Sequence, residues 1–181
     1  WSSDVCSSDL GSAFDYGTGK PSPLGMCIKN GIIYGDYMTS YSVMAVKKDG
    51  TIYTPAQGLM GKNLLAAGVK DTYNFGPVLI KDGEAQLPWA ETEKYYPRTA
   101  VGMVKPNDYV LLVTDTGSYN GLNHWDMVNI FKSYGCTYAY NLDGGGSATL
   151  YFNGKVMNKL IGNTQRPCAD FLTFPLKYRV A

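Results

Sequence analysis

Four tight-turn dipeptides, Asn30-Gly31, Asp49-Gly50, Asp82-Gly83 and Asn153-Gly154, punctuate this chain of 181 residues. GMCIK and IIYGD flank the first, VMAVKK and TIYTP the second; PVLIK precedes the third, and ATLYF and KVM flank the fourth. Both central residues of a type I′ turn need positive φ, which Asn, Asp and Gly tolerate best. The pattern therefore predicts hairpins and a largely antiparallel sheet. Two helices are expected among the strands. The first covers 58–67, with Leu59, Leu64 and Leu65 as apolar positions and Gly68 to end it. The second covers 123–134, where Met127, Ile130, Phe131 and Tyr134 fall at i, i+3, i+4 and i+7, between a cap at Asn123 and a stop at Gly135. Further strands are read at 98–104, 109–114 and 137–142. The fold class is α+β: a single domain with a mixed, mostly antiparallel sheet, β-hairpins and two main helices packed on it.

Length suits one domain, and 45% hydrophobic with 17% charged residues is ordinary for a globular protein. Net charge is +1, with no basic run beyond Lys47-Lys48, which argues against nucleic acid or an anionic membrane as partner. No apolar run approaches the roughly 18 residues of a membrane span. The fifteen tyrosines suit half-buried strands first and sugar-binding surfaces second.

The opening WSSDVCSSDL is what a sequencing-adapter end, TGG AGT TCA GAC GTG TGC TCT TCC GAT CT, gives when read in frame. Residues 1–10 are therefore read as an artefact, 11–176 as the domain, truncated at its N-terminus, and 177–181 as a tail. That removes Cys6 and leaves Cys27, Cys136 and Cys168, an odd number without CxxC spacing. They form no disulfide framework, and no Cys/His cluster suggests zinc; neither metal nor cofactor is expected.

Chemistry is expected at Asn141–Ser147, in NLDGGGSATL. Three glycines after an apolar strand cost backbone entropy, so something must require them. Gly144, Gly145 and Gly146 allow positive φ and close approach of a ligand, and their N–H groups can form an anion-binding nest. Asp143 stands at the entrance as acceptor or catalytic carboxylate, and Ser147 offers a hydroxyl at the exit. Dinucleotide and nucleotide-hydrolase loops do not fit, since these glycines lead into a strand and lack the Gly-Lys-Ser/Thr ending. A tight turn with Asp143 merely hydrogen-bonded to it is the structural alternative.

LDGGGSAT after a helix ending in Gly-Cys resembles the signature of the phosphodiester glycosidase family. GSAFD (11–15), FGPVLIKDGE (75–84), PRTAVGM (97–103) and Gln165-Arg166-Pro167 resemble other segments of the family, in the same order. The resemblance spans 11–176. Where relatives have Asp-Gly-Arg, this chain has Asp115-Thr116-Gly117, and its second helix opens Asn123-His124-Trp125-Asp126 without the acidic residue common there. Both departures bear on the substrate rather than on the domain.

The resemblance implies a hydrolase that removes a sugar from a sugar-1-phosphodiester, releasing free sugar and a phosphate monoester. A monoester, with a second pKa of about 6, departs without full protonation, so two carboxylates are not needed. Arg98 then holds the phosphate, with Arg166 assisting it or pinning the last strand by a salt bridge. Asp143 serves as nucleophile, general base or stabiliser of an oxocarbenium-like state. Asp115, at the end of a hydrophobic strand, is a further site candidate or a turn cap. His124 is most simply exposed or capping, and Trp89 and Trp125 most simply core or rim. The alternative is a non-catalytic module on the same fold that binds a cell-envelope glycan or phosphate polymer. The family also implies export to the extracellular space or cell surface.

Overall fold

The structure, a computed structural model, describes residues 5–8, 11–15, 17, 19–86, 94–115 and 120–175. Trp89, Thr116, Gly117 and the 177–181 tail lie outside the described residues.

The hairpins form as the dipeptides predict. Asn30-Gly31, Asp82-Gly83 and Asn153-Gly154 all take positive φ, between 48° and 81°, and close two-residue loops. Asp49-Gly50 differs: only Gly50 is left-handed, at φ 86°, and Val46 pairs with Ile52 across a longer turn. Gly50 N–H donates to Lys47 O and Lys47 N–H to Thr51 O, the geometry of a three-residue loop built on a type I turn.

Every pairing among the described strands is antiparallel. The fold class is as expected, but the strands divide among several sheets rather than one mixed sheet. The largest has five strands in the spatial order Glu84–Ala85, Val78–Lys81, Tyr138–Leu142, Thr99–Lys105, Asp108–Val113. On one face Val101, Met103, Tyr138, Tyr140 and Leu142 meet Met44, Val46, Ile52 and Tyr73 of the three-stranded sheet. On the other, Leu79, Ala100 and Ala139 meet helix α2 (His124–Ser133) through Met127, Val128 and Phe131. The strand period of two sends alternate residues to opposite faces, so the central strand joins both cores. Helix α1 (Gly61–Ala66) rests on a third cluster through Leu64, with Gly68 left-handed just beyond it.

A helix of ten residues is marginal alone, so packing decides that α2 forms. Asn123 and Asp126 make a reciprocal capping box, worth about 1 kcal/mol. Met127 and Phe131, fully buried, each contribute about 1.5–3 kcal/mol. The stripe's phase departs from expectation: the buried face is His124, Met127, Val128 and Phe131, while Tyr134 is 63% exposed. His124 is therefore a buried residue rather than an exposed or capping one. Cys27, Cys136 and Cys168 are free thiols, and burial pushes the first two up in pKa, away from reactivity.

Val5–Ser8 runs antiparallel between Leu150–Phe152 and Leu172–Pro175. These residues lie in the stretch read as adapter-derived, which was expected to have no packing partner. That expectation is corrected: main-chain pairing holds Val5–Ser8 on both sides. Deleting residues 1–10 should therefore destabilise the domain by opening two strand edges. Replacing Val5–Ser8 with four threonines should shift stability by no more than about 0.5 kcal/mol, measured as a melting temperature. A loss above about 1 kcal/mol on that replacement would show fitted side chains and end the adapter reading.

Candidate active site

The central strand Tyr138–Leu142 delivers Asp143 to the mouth of a short 3-10 turn, Gly145–Ser147, before the chain resumes as Leu150–Phe152. Gly145 N–H donates to Pro97 O at 2.8 Å, fixing the turn to the neighbouring strand's approach. Asn158 holds the far side, accepting from Leu150 N–H and donating to Ala148 O, both at 2.7 Å.

The three glycines are not equivalent. A Cβ on Gly144 would lie 2.6 Å from Pro97 O, a backbone atom that cannot yield cheaply. Gly145 has φ 62° with open space around it, and Gly146 meets neither constraint. Gly144→Ala should therefore cost most in stability, Gly145→Ala about 1 kcal/mol from backbone strain, and Gly146→Ala close to nothing. Thermal melts order the three. Activity lost in Gly146→Ala alone would then report ligand approach to the open backbone.

The expected anion nest is largely used up within the protein. Gly144 N–H donates to the Asp143 carboxylate at 2.8 Å and Gly145 N–H to Pro97 O. Asp143 itself is half-buried. Burial pushes its carboxyl above the usual value, while the Gly144 N–H, the Ser147 hydroxyl and the Arg166 charge pull it back. Ser147 Oγ approaches without hydrogen bonding: it is fully buried and makes no bond of ordinary geometry.

Arg166 is exposed, its guanidinium 5.2 Å from the centre of the Phe14 ring, so GSAFD and the late Arg meet at the same loop. Arg98 has its backbone against the loop, with its Cα 3.5 Å from where a Gly144 Cβ would stand. Its guanidinium donates to Leu122 O and Lys94 O and lies over Tyr96, bracing the approach to α2. Asp115 accepts from Lys159 N–H at 2.9 Å, tying the end of its strand to the segment that follows the loop. Asn141 is buried and donates to Gly76 O at 2.7 Å, fixing the approach to Val78–Lys81. The candidate site thus groups Asp143, Ser147 and the glycines within electrostatic reach of Arg166, with Arg98, Asp115 and Asn141 bonded to backbone around it.

Sequence reasoning passed over Asp170. Buried, it accepts from Ser12 N–H and Ser12 Oγ and pairs with Lys29 at 2.7 Å, anchoring the segment that carries Phe14. No local pattern announces it.

A family model described as phosphodiester glycosidase matches residues 5–174. The SPbeta prophage-derived uncharacterized protein YomE of Bacillus subtilis (strain 168) is 31% identical over 161 residues, covering 83% of this chain and 25% of that protein. The N-acetylglucosamine-1-phosphodiester alpha-N-acetylglucosaminidase of Mus musculus is 28% identical, covering 72% of this chain and 29% of its own length. The chain thus spans about a quarter of the length of these relatives. In structure it resembles the zebrafish N-acetylglucosamine-1-phosphodiester alpha-N-acetylglucosaminidase catalytic domain auto-inhibited by pro-peptide, with a TM-score of 0.71 at 22% identity, covering 97% of this chain and 64% of the other. A hypothetical protein from Synechocystis gives 0.61 at 12% identity, over 95% of this chain and 51% of that one. At those identities the likeness is one of fold.

Proposed function

Because the chain belongs to the phosphodiester glycosidase family, we propose that it hydrolyses the glycosidic C–O bond of a sugar-1-phosphodiester. The observation that carries this is the half-buried Asp143 carboxyl at the mouth of the glycine turn, raised by burial and within electrostatic reach of the exposed Arg166. Arg166 takes the phosphate, since a guanidinium matches its oxygens as a fork. Asp143, beside the anomeric carbon, supports charge developing on the sugar or activates the water. Water's oxygen forms the new bond to C1, the C1–O bond breaks, and the phosphate keeps the bridging oxygen as a monoester. The mouse relative's name makes an N-acetylglucosamine-1-phosphodiester the first substrate to try. An extracellular or cell-surface location is part of the same proposal.

UDP-N-acetylglucosamine in oxygen-18 water tests it. The label should appear in the free sugar's hydroxyl and not in the phosphate. Sugar 1-phosphate with label on phosphorus would mean P–O cleavage and overturn the proposal. Binding with no sugar released from any phosphodiester would make the protein the non-catalytic module instead.

A further inference from the structure

A second concavity lies at the opposite end of the central sheet from Asp143. Thr99 pairs with Leu142 beside the glycine loop, whereas Met103, four residues along the same strand, pairs with Tyr138 and Tyr109. At about 3.3 Å per residue the two ends are roughly 13 Å apart. Tyr109 lines this cavity of about 390 Å³, together with Tyr73, Phe171 and Phe174.

Four lysines surround it: Lys29, Lys47, Lys48 and Lys70. Its carboxylate is Asp71, 3.6 Å from Lys70, and Lys29 is paired with Asp170. Asp49 lies next to the rim, where the hydrogen bond from Thr51 N–H and the charge of Lys47 both favour its ionised form. Among the described residues neither Lys47 nor Lys48 joins an ion pair, and the Lys47 ammonium lies 5.3 Å from the centre of the Tyr53 ring. A chain of net charge +1 has thus gathered four of its sixteen basic residues around one aromatic-floored hollow. Asp170, Asp71 and Asp49 offset part of that charge, and the ammonium groups left outside an ion pair are those of Lys47 and Lys48.

The type of cation matters. A guanidinium fork selects the several oxygens of a terminal phosphate, whereas an ammonium is a compact point charge on a flexible stem. Several ammonium groups spaced around a cavity suit single-charged diester phosphates repeated along a flexible chain. The Lys29 ammonium covers the Tyr73 ring at 3.4 Å, and Phe171, exposed at the rim, is the aromatic that suits the face of a sugar or the carbon of a polyol.

We propose that this cavity binds the backbone of an anionic, phosphodiester-linked glycan polymer, so that the bond cut at Asp143 belongs to a polymeric substrate gripped at both ends of the sheet. The second clause rests on the hydrolase reading; the binding does not. A nucleic acid is also a phosphodiester polymer of the same charge per repeat, but the sugar-sized hollow favours the glycan.

Titration calorimetry of the full chain with poly(glycerol phosphate), a single-stranded oligonucleotide of matched length and neutral dextran tests the site. Poly(glycerol phosphate) should bind, dextran should not, and the oligonucleotide should bind more weakly. Lys47→Gln with Lys48→Gln should weaken the polymer at least about tenfold with the melting temperature unchanged, and 0.5 M salt should act the same way on the parent. UDP-N-acetylglucosamine turnover should be identical in the two proteins, while KM for a polymeric sugar phosphodiester rises and kcat holds. Absence of polymer binding, equal binding by the variant, or tighter binding of the oligonucleotide would each overturn the proposal. Polymer binding that depends on the lysines, with no sugar released from any substrate, would uphold the site and overturn only the hydrolase reading.

Discussion

Asp143→Asn is expected to lower turnover by roughly 10²–10⁴-fold, about 3–5 kcal/mol of barrier, while the protein stays folded. The amide keeps the shape and the acceptor for Gly144 N–H but loses charge and basicity. Stability should move the other way. A carboxyl whose folded pKa is raised contributes stability that is present below the unfolded pKa and lost as pH rises through the folded one. At pH 7 the ionised Asp143 is therefore a net cost, and the Asn variant should melt at or above the parent, the gap closing in acid. Activity of the parent should fall as pH drops through that raised pKa, since the working form is the carboxylate. An Asn variant with near-parent turnover would make Asp143 a turn residue and end the proposed mechanism.

Much of the fold was legible because its signals are local. Three of the four turn dipeptides close two-residue loops, since the φ values they need are a property of the residues themselves. The fourth could be read as a turn but not as its type. Helix α2 was found with its cap, but its phase was not. Two i, i+3, i+4, i+7 stripes overlap in that segment, and counting only apolar residues favours the one ending at Tyr134. The true stripe begins with His124, which packing buries to 2% exposure. The division into several sheets follows from which strands find each other across the chain, and no hairpin encodes that.

The site divides along the same line. Asp143, the glycines and Ser147 are neighbours in sequence, so their meeting was guaranteed, and the family resemblance brought Arg166 to them. Asn141 looked like a ligand-binding residue from its place in the loop, yet its amide reaches Gly76, 65 residues away. Asp170 reaches Ser12 across 158 residues and escaped notice altogether. Arg98 carries the right group for phosphate, but Leu122 O and Lys94 O share its fork, a demand visible only once the chain is folded. Polar side chains whose work is to hold distant backbone carry no spacing that a reader could find.

Arg166 is therefore expected to be the cation that matters most, and replacing it should leave two signatures. Arg166→Gln removes a charged hydrogen-bonding fork from the phosphate, a loss of about 10–100-fold in kcat/KM. It also removes the positive charge that pulls the Asp143 carboxyl down, so that carboxyl rises further and the acid limb of the activity profile moves to higher pH. Arg166→Lys separates the two effects. The restored charge should bring the acid limb back, while the point-charge ammonium, without the planar fork, recovers only part of kcat/KM. Because Arg166 is exposed, neither change should unfold the protein, and a melting curve checks that directly. If Arg166→Gln alters neither kcat/KM nor the position of the acid limb, the guanidinium serves only to cover Phe14, and the phosphate must be held by another group.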